Sequence, residues 1–280
     1  MAASAFFFSL MTLLVKVAGA DLPTMQIVLV RSAIVAILAG VTAVARGRDL
    51  RGNERGLLLV RGVVGFAALS SYYYGLVHLP LADATVIHYT NPVFTTVIAA
   101  VLLSEGLRAR DALATVGGLV GVALVARPAI LFGGAASSLP AVPVLATLAG
   151  AILSAGAYVT VRRLRTEATT VVVFWFAAVS FLGSLPLAVR DWVRPDLDMW
   201  IVLIGVGLTT HLGQMFVTSG LQRERAGRAM TVGYLQILFA AAWGVLVFGE
   251  VPGRWSVAGG LVIVASTLAL GRSGHLPRSG

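Results

Sequence analysis

The chain has 280 residues, of which 58% are hydrophobic and only 12% are charged, with a mean hydropathy of +0.91. Because a soluble domain carries about 25% charged residues, this composition excludes a soluble globular protein and predicts an integral membrane protein. The formal net charge is +9, and no cysteine is present. The missing cysteines exclude disulfides and thiolate metal sites.

Roughly ten apolar blocks follow one another, each near the ~20 residues that cross a hydrocarbon core of ~30 Å. Such long apolar runs lack the alternation of a membrane β-barrel, so an all-α fold is predicted. The first block has no basic leader or cleavage site and is interpreted as a retained helix. The predicted spans are 2–19, 24–45, 56–77, 83–103, 111–126, 139–161, 168–189, 198–219, 226–248 and 254–271.

The basic residues divide unequally between the two sides of these spans. With the N-terminus in the cytoplasm, the cytoplasmic loops and the C-terminal tail carry 14 of the 21 Lys and Arg residues, against four in the opposite loops. The remaining three are Lys16, Arg31 and Arg61, which lie within spans. The positive-inside rule then predicts that both termini are cytoplasmic. Since topology accounts for the basic charge, we expect no nucleic-acid partner.

A shift of 145 residues superimposes spans of the two halves. Because five spans per half is an odd number, the second half must enter the membrane from the opposite side, which predicts an inverted repeat. We expect one membrane domain with ten transmembrane helices, made of two inverted five-helix repeats at 1–128 and 139–271. The coinciding residues are Gly75 with Gly220, Leu76 with Leu221, Ala84 with Ala229, Tyr89 with Tyr234, Asn91 with Gln236, Phe94 with Phe239, and Glu105 with Glu250.

Short motifs spread over the whole chain form a set: Pro23 and Arg31, Tyr74-Gly75-Leu76, Leu79-Pro80-Leu81-Ala82-Asp83-Ala84, Asn91-Pro92-Val93-Phe94, Glu105, Gly117, Gly118, Gly121, Gly220-Leu221, Tyr234, Glu250, Gly259 and Gly260. This set resembles the drug/metabolite transporter superfamily in its EamA-type, ten-helix branch. Overall similarity places the chain nearest the bacterial aromatic amino acid exporters. Ile237 stands where the second half would repeat the proline, so the break at Pro92 is not mirrored.

The resemblance implies a secondary exporter in the bacterial inner membrane, with a central cavity lined by spans one, three, four, six, eight and nine. A cavity formed by both repeats can be complete within one chain, so a monomer in the lipid bilayer is expected. No phosphate loop, metal cluster or nucleophilic constellation occurs in the sequence. We therefore expect no enzyme activity, no cofactor and no metal.

Polar side chains form a stripe on the fourth predicted span. Thr85, His88, Tyr89 and Thr96 fall within an arc of ~100°, with Pro92 among them. Hydrocarbon has no partner for these groups, so they should face a protein or water-filled interior. Pro92 lacks an N–H and so frees the carbonyl of His88. That carbonyl either contacts a substrate or marks a packing kink that a neighbouring threonine satisfies.

A second stripe is predicted on the eighth span, where Gly207, His211, Gln214 and Thr218 share an arc of ~60°. It lies in the opposite half and would face the same interior. His211 and His88 could sense or carry protons if water reaches them. Alternatively, each is a neutral hydrogen-bonded link between helices.

Tyrosines are expected in the wall of the cavity, because each gives a flat apolar surface and one hydroxyl. Tyr89, Tyr158 and Tyr234 lie deep in their spans. Tyr72 shares a face of the third span with Arg61, three turns away. The alternative for the run Tyr72–Tyr74 is the interfacial belt where tyrosine and tryptophan collect.

The cations within spans need partners, since a lone one at depth costs about 2.5–3.5 kcal/mol. Arg31 could hold a substrate carboxylate, or it could pair with Asp21 or helix carbonyls, and the family resemblance favours the structural role. Arg61 is expected to snorkel to the cytoplasmic interface. Glu250 and its first-half counterpart are expected to cap or gate helix ends. No partner for Lys16 is evident from the sequence.

These features together predict a secondary transporter that exports a small organic metabolite by alternating access. An aromatic or large apolar amino acid is the expected substrate. The alternatives are export of another metabolite or a cationic drug, a membrane enzyme, and a non-transporting receptor or assembly factor. The predicted substrate-binding residues are Tyr72, Thr85, His88, Tyr89, Tyr158, His211, Gln214 and Tyr234.

Overall fold

The computed structural model describes residues 2–102, 109–126, 139–223 and 235–271, and within these ranges all regular secondary structure is α-helical. The all-α prediction is therefore confirmed for the described residues. The helices are α1 (Ala2–Ala18), α2 (Thr24–Ala45), α3 (Arg55–His78), α4 (Leu81–His88), α5 (Asn91–Leu102), α6 (Ala109–Ala126), α7 (Ala141–Arg163), α8 (Thr169–Arg190), α9 (Leu197–Arg223), α10 (Leu235–Phe248) and α11 (Arg254–Gly271).

The helices have the length and surface of membrane spans. Within the described ranges, α2, α3, α7, α8 and α9 are long and apolar enough to cross a bilayer, and α1, α10 and α11 contain shorter apolar helices. Large apolar side chains point outward, with Ile37 64% and Leu182 65% exposed. Such a surface is stable against lipid and would promote aggregation in water. The chain is a multi-pass membrane protein; ten spans and two cytoplasmic termini stay predictions.

The fourth predicted span is interrupted. Its helix stops at His88 and resumes at Asn91, so 83–103 is not one continuous helix as expected but the pair α4 and α5. Pro92 cannot donate a backbone hydrogen bond, which weakens the helix at this point. The hydroxyl of Thr90 donates to the carbonyl of Ile87 at 2.8 Å. Thr90 therefore satisfies the carbonyl of Ile87, the residue that precedes His88.

Helices of the two halves pack in pairs: α2 lies against α8, α3 against α7, α1 against α9, and α6 against α11. Gly150 permits the close approach of α7 to α3. A Cβ there would lie 3.0 Å from the carbonyl oxygen of Ala68 and 3.2 Å from the backbone nitrogen of Tyr72. Because both neighbours are backbone atoms, no side-chain rotation can relieve the contact, and only glycine fits without moving α3.

Two glycines of α7 give a matched test of this packing. Gly150→Ala should lower the melting temperature of the purified protein in detergent, because overpacking costs about 1–3 kcal/mol. Gly156→Ala should leave it unchanged or raise it, since a Cβ there meets only a Val64 methyl at 3.7 Å and alanine favours the helix by up to about 1 kcal/mol. Equal effects of the two substitutions would contradict the close α3–α7 contact at Gly150.

Candidate functional site

A cavity of about 100 Å³ lies inside the bundle, next to the break between α4 and α5. Its wall takes side chains from both halves of the chain. Of the residues predicted to bind substrate, the structure brings five together here: Tyr72, His88, Tyr89, Tyr158 and Gln214. These polar and aromatic side chains therefore surround one internal cavity.

His88 and Tyr72 form the aromatic part of this wall. Their rings stack with centroids 3.9 Å apart and planes inclined by 15°. Thr85 is fully buried behind them: its hydroxyl donates to the carbonyl of Leu81 at 2.7 Å and lies 3.5 Å from the Tyr72 hydroxyl. Thr85 is not part of the cavity wall, so it orients Tyr72 rather than facing the interior itself.

Tyr89 connects the broken span to the second half of the chain. Its hydroxyl donates to the Gln236 side-chain oxygen at 2.7 Å. Asn91, which coincides with Gln236 in the sequence repeat, also lines the cavity. The two amides that match across the halves therefore meet at one cavity, next to the helix break.

The stripe predicted on the eighth span divides between several environments. Gln214 lines the cavity, but His211 is not part of its wall. Gly207 faces another helix, since a Cβ there would lie 2.7 Å from Ile34 of α2. Tyr234 lies outside the described residues.

Arg31 and Arg61 are buried in the cavity wall, at 1% and 3% exposed. Their guanidinium carbons lie 5.0 Å and 4.1 Å from the centre of the Phe176 ring. The prediction that Arg61 snorkels to the interface is therefore wrong: Phe176 holds its guanidinium inside. Neither arginine forms a salt bridge within the described ranges, so Asp21 is not the partner of Arg31.

Lys16 has its partner at the end of the bundle where α1 and α3 finish. Its ammonium lies 2.5 Å from a Glu250 carboxylate oxygen and donates to the Leu79 carbonyl at 2.9 Å. The other Glu250 oxygen accepts the Leu81 backbone N–H at 2.9 Å. Glu250 thus caps α4, where a negative charge is favoured by the helix dipole. We call this set of contacts between Lys16, Leu79, Leu81 and Glu250 the Lys16 junction.

Sequence reasoning missed several wall residues, among them Ser4, Met11, Ser154 and Phe176. These residues are small or apolar, and nothing in their spacing separates a wall position from ordinary helix packing. Arg61 did carry a signal, since it shares a helix face with Tyr72. Reading that face as one surface would have placed Arg61 in the wall.

Comparisons with known proteins decide the family. The EamA-like transporter family matches residues 1–127 and again 141–272. The chain belongs to the EamA-like transporter family. A curated member, the pseudopaline exporter CntI of Pseudomonas aeruginosa, is 35% identical over 272 residues, which cover 96% of this chain and 94% of that protein. Membership of a transporter family is consistent with a protein that is not an enzyme.

Two further relatives of this EamA-like protein match a smaller part of the chain. Human solute carrier family 35 member G1 is 33% identical over 77% of this chain and 62% of its own. The S-adenosylmethionine uptake transporter of Rickettsia prowazekii is 24% identical over 75% of this chain and 69% of its own. A crystal structure with 18% identity superposes with a TM-score of 0.65 over 96% of both chains, which shows a shared fold. None of these relatives confirms the likeness to aromatic amino acid exporters.

The contact between Tyr89 and Gln236 can be tested by removing one hydroxyl. Tyr89→Phe leaves the buried Gln236 oxygen without its donor, so the melting temperature should fall by the equivalent of about 0.5–2 kcal/mol. Adding Gln236→Leu should cost little more, because the stranded acceptor is then gone. Additive losses in this double-mutant cycle would show that the two side chains do not interact.

Proposed function

We propose that the protein exports a small organic metabolite by alternating access, with the cavity beside the broken fourth span as its substrate site. The observation that carries this proposal is the convergence of polar side chains from both halves on one internal space. Discontinuous helices in transporters commonly form the substrate site, because their free backbone groups are tolerated only where they line a cavity. The transporter family itself is established by the comparisons.

The pairing of the helices supports the proposed inverted repeat of 1–128 and 139–271. If each span corresponds to the one five places later, α2 corresponds to α8 and α6 to α11, and both pairs are in contact. By the same relation, α3 corresponds to α9 and α7 corresponds to α1. The repeat therefore predicts that the contact of α3 with α7 has an equivalent between α9 and α1, and both contacts are present. A pseudo-twofold axis in the membrane plane would produce this arrangement.

The Lys16 junction supports a state closed at one end. It ties α1 and the α3–α4 turn, from the first half, to the segment after α10 in the second half. With cytoplasmic termini, this end would face the periplasm. Export would then require the junction to separate while contacts at the opposite end close.

The wall chemistry supports an amino-acid-like substrate. The stacked rings of Tyr72 and His88 offer an aromatic surface, while Gln214 and Gln236 offer amide groups. Such a mixture suits a solute with a large apolar or aromatic part and a polar end. An aromatic or large apolar amino acid is therefore our proposed substrate. Two relatives are named for pseudopaline export and S-adenosylmethionine uptake, so a substrate screen should include other metabolites as well.

Efflux from loaded proteoliposomes tests this function. Vesicles carrying labelled tryptophan, leucine or a broader metabolite panel should lose it faster with the protein than without it. His88→Ala and Gln214→Ala should each slow efflux by about tenfold or more, since that corresponds to losing roughly 1.4 kcal/mol of binding. His78→Ala serves as the matched control, because His78 is exposed and lies outside the cavity wall.

Unchanged efflux in both cavity variants, at equal protein levels, would contradict the assignment of this cavity as the substrate site. No protein-dependent efflux of any panel compound would contradict the export proposal itself.

A further inference from the structure

We propose that Arg31 and Arg61 form an anion-binding subsite in the cavity wall that takes the carboxylate of the transported metabolite. This inference rests on the proposed function and narrows it. It assigns a chemical class, metabolites with a free carboxylate, and it disfavours the cationic drugs that composition and family leave open.

Burial is the first support. Both arginines line the cavity, yet they are almost fully shielded by the protein. In each, the Nε and Nη1 atoms are buried and have no hydrogen-bond partner. Arginine remains charged in proteins and carries five donors, so these are strong donors held beside an internal space. A carboxylate can accept from a guanidinium through two parallel bonds.

The charge balance of the wall is the second support. Among the described residues that line the cavity, none is Asp or Glu, so the two arginines give the wall a formal charge of +2 with neutral histidine. Buried charges are normally compensated by an ion partner. The protein supplies aromatic contact instead of a carboxylate, so an anionic substrate group is the natural counter-charge.

Phe176 holds the two cations close to each other. Both guanidinium groups lie over its ring, so their carbons are at most about 9 Å apart, the sum of the two centroid distances. Cation–π contact holds a guanidinium without using its donors. Gly65 makes the arrangement possible, because a Cβ there would collide with Arg61 Nη1 and lie 2.8 Å from the Phe176 ring. The donors are therefore oriented before any ligand arrives.

A purely structural role is the competing explanation. Phe176 on α8, Arg31 on α2 and Arg61 on α3 also join three helices. Both roles predict that removing an arginine harms stability. They differ in selectivity: a subsite distinguishes a carboxylate from its neutral amide, whereas a structural contact affects both ligands equally.

The test measures binding of L-tryptophan and L-tryptophanamide to the purified full-length protein in detergent, from the rise in melting temperature with ligand concentration. The two compounds share the indole side chain and differ at the carboxylate, which the amide replaces by an uncharged group. Wild-type protein should bind the acid at least about tenfold more tightly than the amide, because charge-assisted hydrogen bonds are lost with the amide. Arg31→Gln and Arg61→Gln should remove most of this ratio. Arg190→Gln, at a side chain 77% exposed, should leave it unchanged.

Lysine variants cover the case in which a glutamine variant does not fold. Arg31→Lys and Arg61→Lys keep the charge but lose the paired donors. They should weaken binding of the acid by several fold while leaving binding of the amide unchanged. Equal changes for both ligands would indicate the structural role and overturn the subsite.

Three results overturn the proposal: equal binding of acid and amide by the wild type, an unaltered ratio in both glutamine variants, or no shift with any carboxylate of a panel of tryptophan, phenylalanine, leucine, glutamate and succinate. If one of these three results is found but the protein still exports a neutral or cationic metabolite, the carboxylate subsite is wrong and the transport proposal is retained. Selective binding of carboxylates without efflux would instead retain the subsite and reject export.

Discussion

The Lys16 junction joins the two halves of the chain at one end of the bundle. Lys16 lies in the last turn of α1 and is only partly buried, with its side chain 12% exposed, so a partner lowers the cost of placing its charge at the end of a membrane helix. Here Glu250 and the Leu79 carbonyl compensate it, and Glu250 in turn caps the start of α4. One carboxylate therefore serves both a partly buried cation and a helix N-terminus. Removing the Glu250 carboxylate would leave Lys16 without its ion partner and the start of α4 without its acceptor.

Helix α1 connects this junction to the cavity. One part of its surface faces α10, where the Trp243 indole N–H donates to the Ser9 hydroxyl at 3.2 Å and Lys16 meets Glu250 just beyond the helix. Another part supplies Phe8 and Met11 to the cavity wall. A movement of α1 that separates the junction would also reshape the cavity. In the proposed cycle, this shared helix would couple opening of one end to the state of the substrate site.

Much of this organisation could be predicted from the sequence, because lipid imposes strict rules on polarity. The costs of burying His88, Tyr89 and Gln214 in hydrocarbon predicted an internal face, and the structure places all three in one wall. The helix break near Pro92 follows from the chemistry of proline. Hydropathy alone nevertheless predicted one continuous span there, because the segments on both sides of the break are largely apolar. Burial of these polar groups is a local property, and local properties can be read from helical spacing.

What could not be predicted depends on contacts between distant segments. The partner of Lys16 is 234 residues away, and no periodicity on α1 points to it. The same is true of Phe176, an ordinary apolar residue of its helix that becomes important because two arginines from other helices lie over it. Snorkelling of Arg61 was a reasonable expectation for an isolated helix. The packed bundle offers an aromatic ring instead, and the side chain turns inward.

In the proposed cycle, the Lys16 junction closes one end of the bundle while the cavity stays accessible from the opposite end. Because the chain has no cysteine, one cysteine placed in the cavity wall at Ser154 can be labelled selectively with a membrane-impermeant maleimide in oriented vesicles. We expect slow labelling from the Lys16 side of the intact protein and faster labelling from that side after Lys16→Met with Glu250→Gln. Rapid labelling from the Lys16 side with the junction intact, unchanged by the substitutions, would contradict the proposed cycle.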